Sequence, residues 1–117
     1  MLILGHRGSP QKKKENTLES FKQCLIDGCD GFELDVWETL DGKFVVSHDK
    51  AYNNKSILEN PYSNLDGILL LENVLETFSG KCIINIEIKK INNFNYFLDI
   101  LSWYPIGKII LSSFDIH

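Results

Sequence analysis

Seven residues of this chain have the types and the placing to cleave a phosphodiester: His6, Arg7, Glu33, Asp35, His48, Glu87 and Lys89. Each lies in, or close to the end of, a short apolar run. Glu33, Asp35 and Glu87 are carboxylates set among Phe, Leu, Val and Ile, where a buried charge is costly unless it is paired or bound to a metal. A hard cation such as Mg2+ or Ca2+ prefers an all-oxygen donor set of this kind. His6 and His48 carry imidazole, a group that in general titrates near neutrality. They suit the base that activates a nucleophile and the acid that protonates a leaving alkoxide. Arg7 can hold two phosphoryl oxygens through its planar fork. For any one of these residues alone, a wet strand end is the simpler explanation; for the whole set it is the weaker one. Zinc on His6, His48 and a carboxylate is the competing metal. It ranks lower, because carboxylates outnumber histidines, no HExxH occurs and the cysteines are not placed to help. His117, the third histidine, is given no role.

The elements that must position these groups follow from periodicity. Leu2-Ile3-Leu4 reads as a short buried strand closed by Gly5. Asn16 or Thr17 can cap a helix over residues 18–26, with Glu19 at capping-box spacing from Asn16 and Gly28 as the stop. Phe32, Leu34 and Val36 alternate with Glu33 and Asp35, so one face packs and the other carries carboxylates. Asp41-Gly42 is a strong turn signal, and residues 44–46 form a strand that ends at His48. Residues 50–67, polar and containing Pro61, read as a loop or small insertion. Residues 69–78 and 94–104 read as helices, and residues 82–88 and 108–113 as strands. The mostly alternating order implies α/β with a parallel sheet. The short Asp41-Gly42 connection fits an antiparallel pair better, and leaves that local geometry open.

At 117 residues the chain suits one domain, covering 1–117. A net charge of −4 and a pI near 5.3 argue against a nucleic-acid surface. Lys12-Lys13-Lys14 is the one basic run and reads as a solvated loop. Cys24, Cys29 and Cys82 contain no CxxC pair and read as reduced, mostly buried thiols. Residues 1–4 are too short for the apolar core of a signal peptide, and no segment reaches membrane-spanning length. Together these imply a cytoplasmic location.

The motifs resemble the glycerophosphodiester phosphodiesterase family. They occur in its order: His6-Arg7-Gly8, Glu15-Asn16-Thr17, Glu33-Leu34-Asp35, Thr39-Leu40-Asp41-Gly42, His48-Asp49 and Glu87-Ile88-Lys89, with Ser112-Ser113-Phe114-Asp115 after them. The family's usual proline before Glu15 and Pro-Thr before Leu71 are missing, and the stretch after His48 is short.

The resemblance implies a TIM-barrel fold and metal-dependent hydrolysis of a small glycerophosphodiester to glycerol 3-phosphate and an alcohol. It implies His6 and His48 as the acid/base pair, Arg7 and Lys89 as phosphate contacts, and Glu33, Asp35 and Glu87 as ligands of Mg2+ or Ca2+. A full barrel takes about 250 residues, so the chain corresponds to about its first five strands, the N-terminal half. An open half-barrel would expose apolar edges suited to self-association. The alternatives are a non-enzymatic remnant or binding fragment, and a sphingomyelinase D-like phospholipase with a similar two-histidine barrel.

Overall fold

A computed structural model describes residues 2–8, 14–105 and 108–113. The Lys12-Lys13 part of the basic run, Gln11, Phe114-Asp115 and His117 lie outside the described residues.

One mixed sheet holds the chemistry. β1 (Leu4–His6), β2 (Gly31–Glu38), β7 (Ile83–Lys90) and β8 (Ile109–Ser113) pair in parallel, in that order. β3 (Phe44–Val46) pairs antiparallel with the C-terminal half of β2, and β6 (Leu69–Leu70) pairs antiparallel with β3. β1 and β3 thus take opposite ends of one edge of β2. All five strands read from the sequence are present. The Asp41-Gly42 connection resolves as a hairpin, which leaves four strands parallel. Thr39 shapes that turn: its hydroxyl donates to Asp41 Oδ1 at 2.6 Å and accepts from the Lys43 N–H at 2.9 Å. Gly42 takes φ +80, a conformation that favours glycine.

Helices α1 (Leu18–Ile26), α2 (Leu71–Phe78) and α3 (Phe94–Ser102) share one core with one face of the sheet. Period-two alternation sends Phe32, Leu34, Val36, Ile84 and Ile86 to this face, and all five are fully buried. Phe32 stacks on Phe21 of α1 with ring centroids 4.2 Å apart, and meets Phe78 of α2 edge-on at 5.1 Å. Gly31 lets β2 approach β7: a Cβ there would stand 1.9 Å from the Ile83 carbonyl oxygen. Residues 50–67 fold back as the short pair β4 (Ala51–Tyr52) and β5 (Lys55–Ser56) and a 3-10 turn. Ile57, Leu65 and Ile68 form a small second core there with Val45.

Two expectations shift, and one open choice is settled. The first strand begins at Leu4, and Leu2 and Ile3 are exposed rather than buried. Helix α2 begins at Leu71, because Leu69 and Leu70 pair with β3. Thr17, not Asn16, caps α1, accepting from the Ser20 N–H at 3.2 Å. Thr17→Ala therefore lowers stability by about 1 kcal/mol, measured by urea denaturation. A change below a few tenths would show that the cap contributes little.

Candidate active site

The face of the sheet opposite the helices carries the polar side chains. Strand register places them side by side: His6 is aligned with Glu33, Glu33 with Asn85, Asp35 with Glu87, and Glu87 with Ser112. Alternation within each strand and alignment across strands thus turn separate motifs into one patch. One oxygen each from Glu33, Asp35 and Glu87 lies within 4.8 Å of the others.

Two cations face these carboxylates. Arg7 Nε is 3.7 Å from Asp35 Oδ2, and its Nη1 is 3.1 Å from Glu15 Oε2. Lys89 Nζ lies 3.8 Å from Asp35 Oδ1 and 3.4 Å from Glu87 Oε2. Lys89 reaches there through a bulge. Val36 aligns with Ile88 but Trp37 with Lys90, so Lys89 is the extra residue on β7, and such a bulge re-aims a side chain. His6 Nδ1 is 2.7 Å from Glu33 Oε2, an ion-pair distance without the alignment of a hydrogen bond.

Arg7 has a strained backbone, with φ +56. Its carbonyl accepts from the Asn16 N–H at 3.0 Å and the Ser20 hydroxyl at 3.2 Å. Gly8, at φ +87, completes the turn, and a Cβ there would collide with Ser20. The turn after β1 is therefore held by the start of α1. Strain of this kind persists only where the surroundings over-determine it.

Asn16 is the site residue that sequence reasoning missed. It is buried, and its amide donates to Asp35 Oδ2 at 3.4 Å while its own Oδ1 has no hydrogen-bond partner. The Glu15-Asn16-Thr17 motif held the signal, but a helix-capping role explained it equally well. In the structure Glu15 and Asn16 serve Arg7 and Asp35, and Thr17 serves the helix.

His48 sits further along, two residues beyond β3. Its Nδ1 is 3.1 Å from Asp49 Oδ1, on an exposed carboxylate. It joins the patch through the backbone, because the Ser47 N–H donates to the Asp35 carbonyl at 3.0 Å. The Trp37 indole N–H fixes the Ser47 carbonyl at 2.9 Å. Six of the seven residues read from the sequence are thus linked by side-chain contacts, and the seventh is tied to them by the hairpin.

The electrostatics of the patch favour a cation. Asp35 is fully buried and Glu33 nearly so, and Glu33 Oε1 and Asp35 Oδ1 have no hydrogen-bond partner. Burial pushes the Glu33 carboxyl up to about 8; the Asp35 and Glu87 carboxylates add to this and Arg7 opposes it. Three converging carboxylates, two of them with orphaned oxygens, fit a hard divalent cation, with Glu33, Asp35 and Glu87 as the residues that could hold it. The thiols of Cys24, Cys29 and Cys82 are free and stand apart from this set; Cys24 is pushed up to about 12, chiefly by burial.

Known proteins place the chain. The Glycerophosphoryl diester phosphodiesterase family profile matches residues 6–54. A glycerophosphodiester phosphodiesterase of Bacillus altitudinis is 35% identical over 109 residues, covering 74% of this chain and 44% of that protein. The crystal structure of a glycerophosphodiester phosphodiesterase from Thermotoga maritima superposes with a TM-score of 0.86 at 41% identity, covering 98% of this chain and 55% of that one.

The chain resembles the glycerophosphodiester phosphodiesterase family.

It spans about half the length of these two relatives. Four parallel strands are half of an eight-stranded barrel, so the fold is a partial TIM barrel like that of these neighbours. An Oleispira antarctica phosphodiesterase, solved with its product sn-glycerol-3-phosphate, shares the fold with a TM-score of 0.85 at 22% identity.

Proposed function

We propose that the chain hydrolyses glycerophosphodiesters to glycerol 3-phosphate and an alcohol, with a divalent cation, Mg2+ or Ca2+, held by Glu33, Asp35 and Glu87. The observation that carries this reading is the joining of those three carboxylates with Arg7, Lys89 and His6 on one face of a family fold.

In this reading Arg7 and Lys89 bind the phosphate. Both already stand against carboxylates, so the anion meets cations whose positions are set in advance. When bound, the cation supplies charge neutralisation at the phosphoryl oxygens. His6, oriented by Glu33, takes the proton from the nucleophile. His48, on the hairpin side, returns a proton to the departing alcohol. Asp49 Oδ1 stands 3.1 Å from His48 Nδ1 and orients the ring for this role. Among the described residues no helix is long and apolar enough to cross a membrane. The free thiols fit a reducing, cytoplasmic setting.

The test is release of glycerol 3-phosphate from glycerophosphocholine and glycerophosphoglycerol by the intact chain, with Mg2+ or Ca2+ and with chelator. Cation-dependent release is expected. No release with either ion would overturn activity of this chain, and would favour a binding fragment. The partly exposed Phe94, Ile110 and Leu111 at and beside the β8 edge would then be where it associates. Lysophospholipid turnover in place of glycerophosphodiester turnover would favour the sphingomyelinase D-like alternative.

A further inference from the structure

Glu38 is a buried carboxylate to which the reading above gives no part. What it does rests on that reading, which puts Lys89 at the phosphate. Glu38 is the last residue of β2, and alternation places it on the face of Leu34 and Val36, away from the carboxylate patch. Its Oε1 accepts from two backbone N–H groups far along the chain, those of Asn92 at 3.2 Å and Asn93 at 3.0 Å. Asn93 is the N-cap of α3. Amides at a helix start lack intrahelical partners and carry partial positive charge, so a carboxylate grips them well.

This clamp acts where β7 is held on one side only. β8 pairs with β7 as far as Ile88, and beyond it the pairing of β7 continues with β2 through Trp37 and Lys90. Lys89 falls in the gap as the bulge residue, and a bulged residue has no place in the ladder. Its backbone is therefore set by what grips the chain on either side. Upstream, Val36 aligns with Ile88. Downstream, Trp37 aligns with Lys90, and Glu38 holds Asn92 and Asn93. Consecutive residues of β2 thus bracket Lys89. The Lys89 ammonium depends on that bracket, because it must meet both Asp35 Oδ1 at 3.8 Å and Glu87 Oε2 at 3.4 Å.

We propose that Glu38 is a positioning residue for Lys89. By gripping the chain just after the bulge, it keeps the ammonium against Asp35 and Glu87 and so sets how well the site binds phosphate.

The experiment uses the intact chain with Mg2+. It measures glycerol 3-phosphate binding by calorimetry, and KM and kcat for glycerophosphocholine. Glu38→Asp keeps the charge but falls one methylene short of the two amides. It is expected to weaken glycerol 3-phosphate binding and raise KM about tenfold, with kcat changed far less. Glu38→Gln keeps the reach and the accepting oxygen, and is expected to stay within about threefold of wild type. On a Lys89→Ala background the Asp substitution is expected to cost nothing further. Wild-type binding in Glu38→Asp would overturn the proposal. So would losses that multiply in the double variant, which mark Glu38 as a support of the fold alone. A crystal structure of Glu38→Asp separates the proposal from the reading beneath it. Lys89 displaced from Asp35 and Glu87, in a chain whose wild type hydrolyses no diester, keeps the positioning role and removes the phosphodiesterase. Lys89 unmoved, in a chain whose wild type hydrolyses glycerophosphocholine, keeps the phosphodiesterase and removes the positioning role.

Discussion

Metal-free, the chain loses stability as the pH rises from about 4.5 to about 8, and Mg2+ or Ca2+ restores it. The Glu33 carboxyl, ordinarily near 4.5, is pushed up to about 8 by burial and by Asp35 and Glu87. Between those values the folded chain holds a proton that the unfolded chain has lost. Stability from this group is fully present below pH 4.5 and is lost as the pH climbs through 8. Each unit of displacement corresponds to about 1.4 kcal/mol, so the effect is a large part of a small domain's margin. A divalent cation needs the ionised carboxylate, so its stabilising effect grows over the same range. At a concentration a hundred times its Kd it adds about 2.7 kcal/mol. Thermal melts across this range, with chelator and with each ion, check both halves. Glu33→Gln should flatten the metal-free profile and weaken the response to the ion. A wild-type melting temperature that does not move with pH between these limits would sink the argument.

Replacing either histidine by alanine lowers release of glycerol 3-phosphate about 100- to 10,000-fold, and the two losses differ in kind. A diester with a nitrophenolate leaving group needs no proton on departure. On that substrate His48→Ala recovers most of its activity, whereas His6→Ala stays impaired because the nucleophile still needs a base. The comparison is one of kcat for each variant on the natural and the activated diester. Equal impairment of both variants on both substrates would remove the division of roles, and activity unaffected by either change would remove the pair.

Much of this site was legible because strands report their faces. Glu33 and Asp35 between Phe32, Leu34 and Val36 can only point away from the core, and Glu87 repeats the pattern on the neighbouring strand. What was hidden depends on partners distant in sequence. Leu2 and Ile3 look like a buried strand by hydropathy, but burial needs something to pack against them, and both are exposed. Asn16 looks like a cap because an Asn before a helix usually is one; only the approach of β2 shows its amide reaching Asp35. The Lys89 bulge is likewise invisible in one strand, since a bulge is a mismatch between two. The direction of β3 was half legible. Asp41-Gly42 announced a hairpin, while the alternating order of elements argued for a parallel sheet.

The hairpin also bears on how the site is assembled in time. Residues 33–48 carry two of the three carboxylates and one of the two histidines, and their pairing closes a loop of only a few residues between Glu38 and Phe44. Short loops cost little entropy to close, and hairpins form in microseconds. The contacts of β2 with β7, by contrast, join residues about fifty apart and must wait for the chain to find them. Asp35 and His48 can therefore be set in their mutual positions before the rest of the sheet exists, and Glu87 and Lys89 arrive at a half-site already drawn.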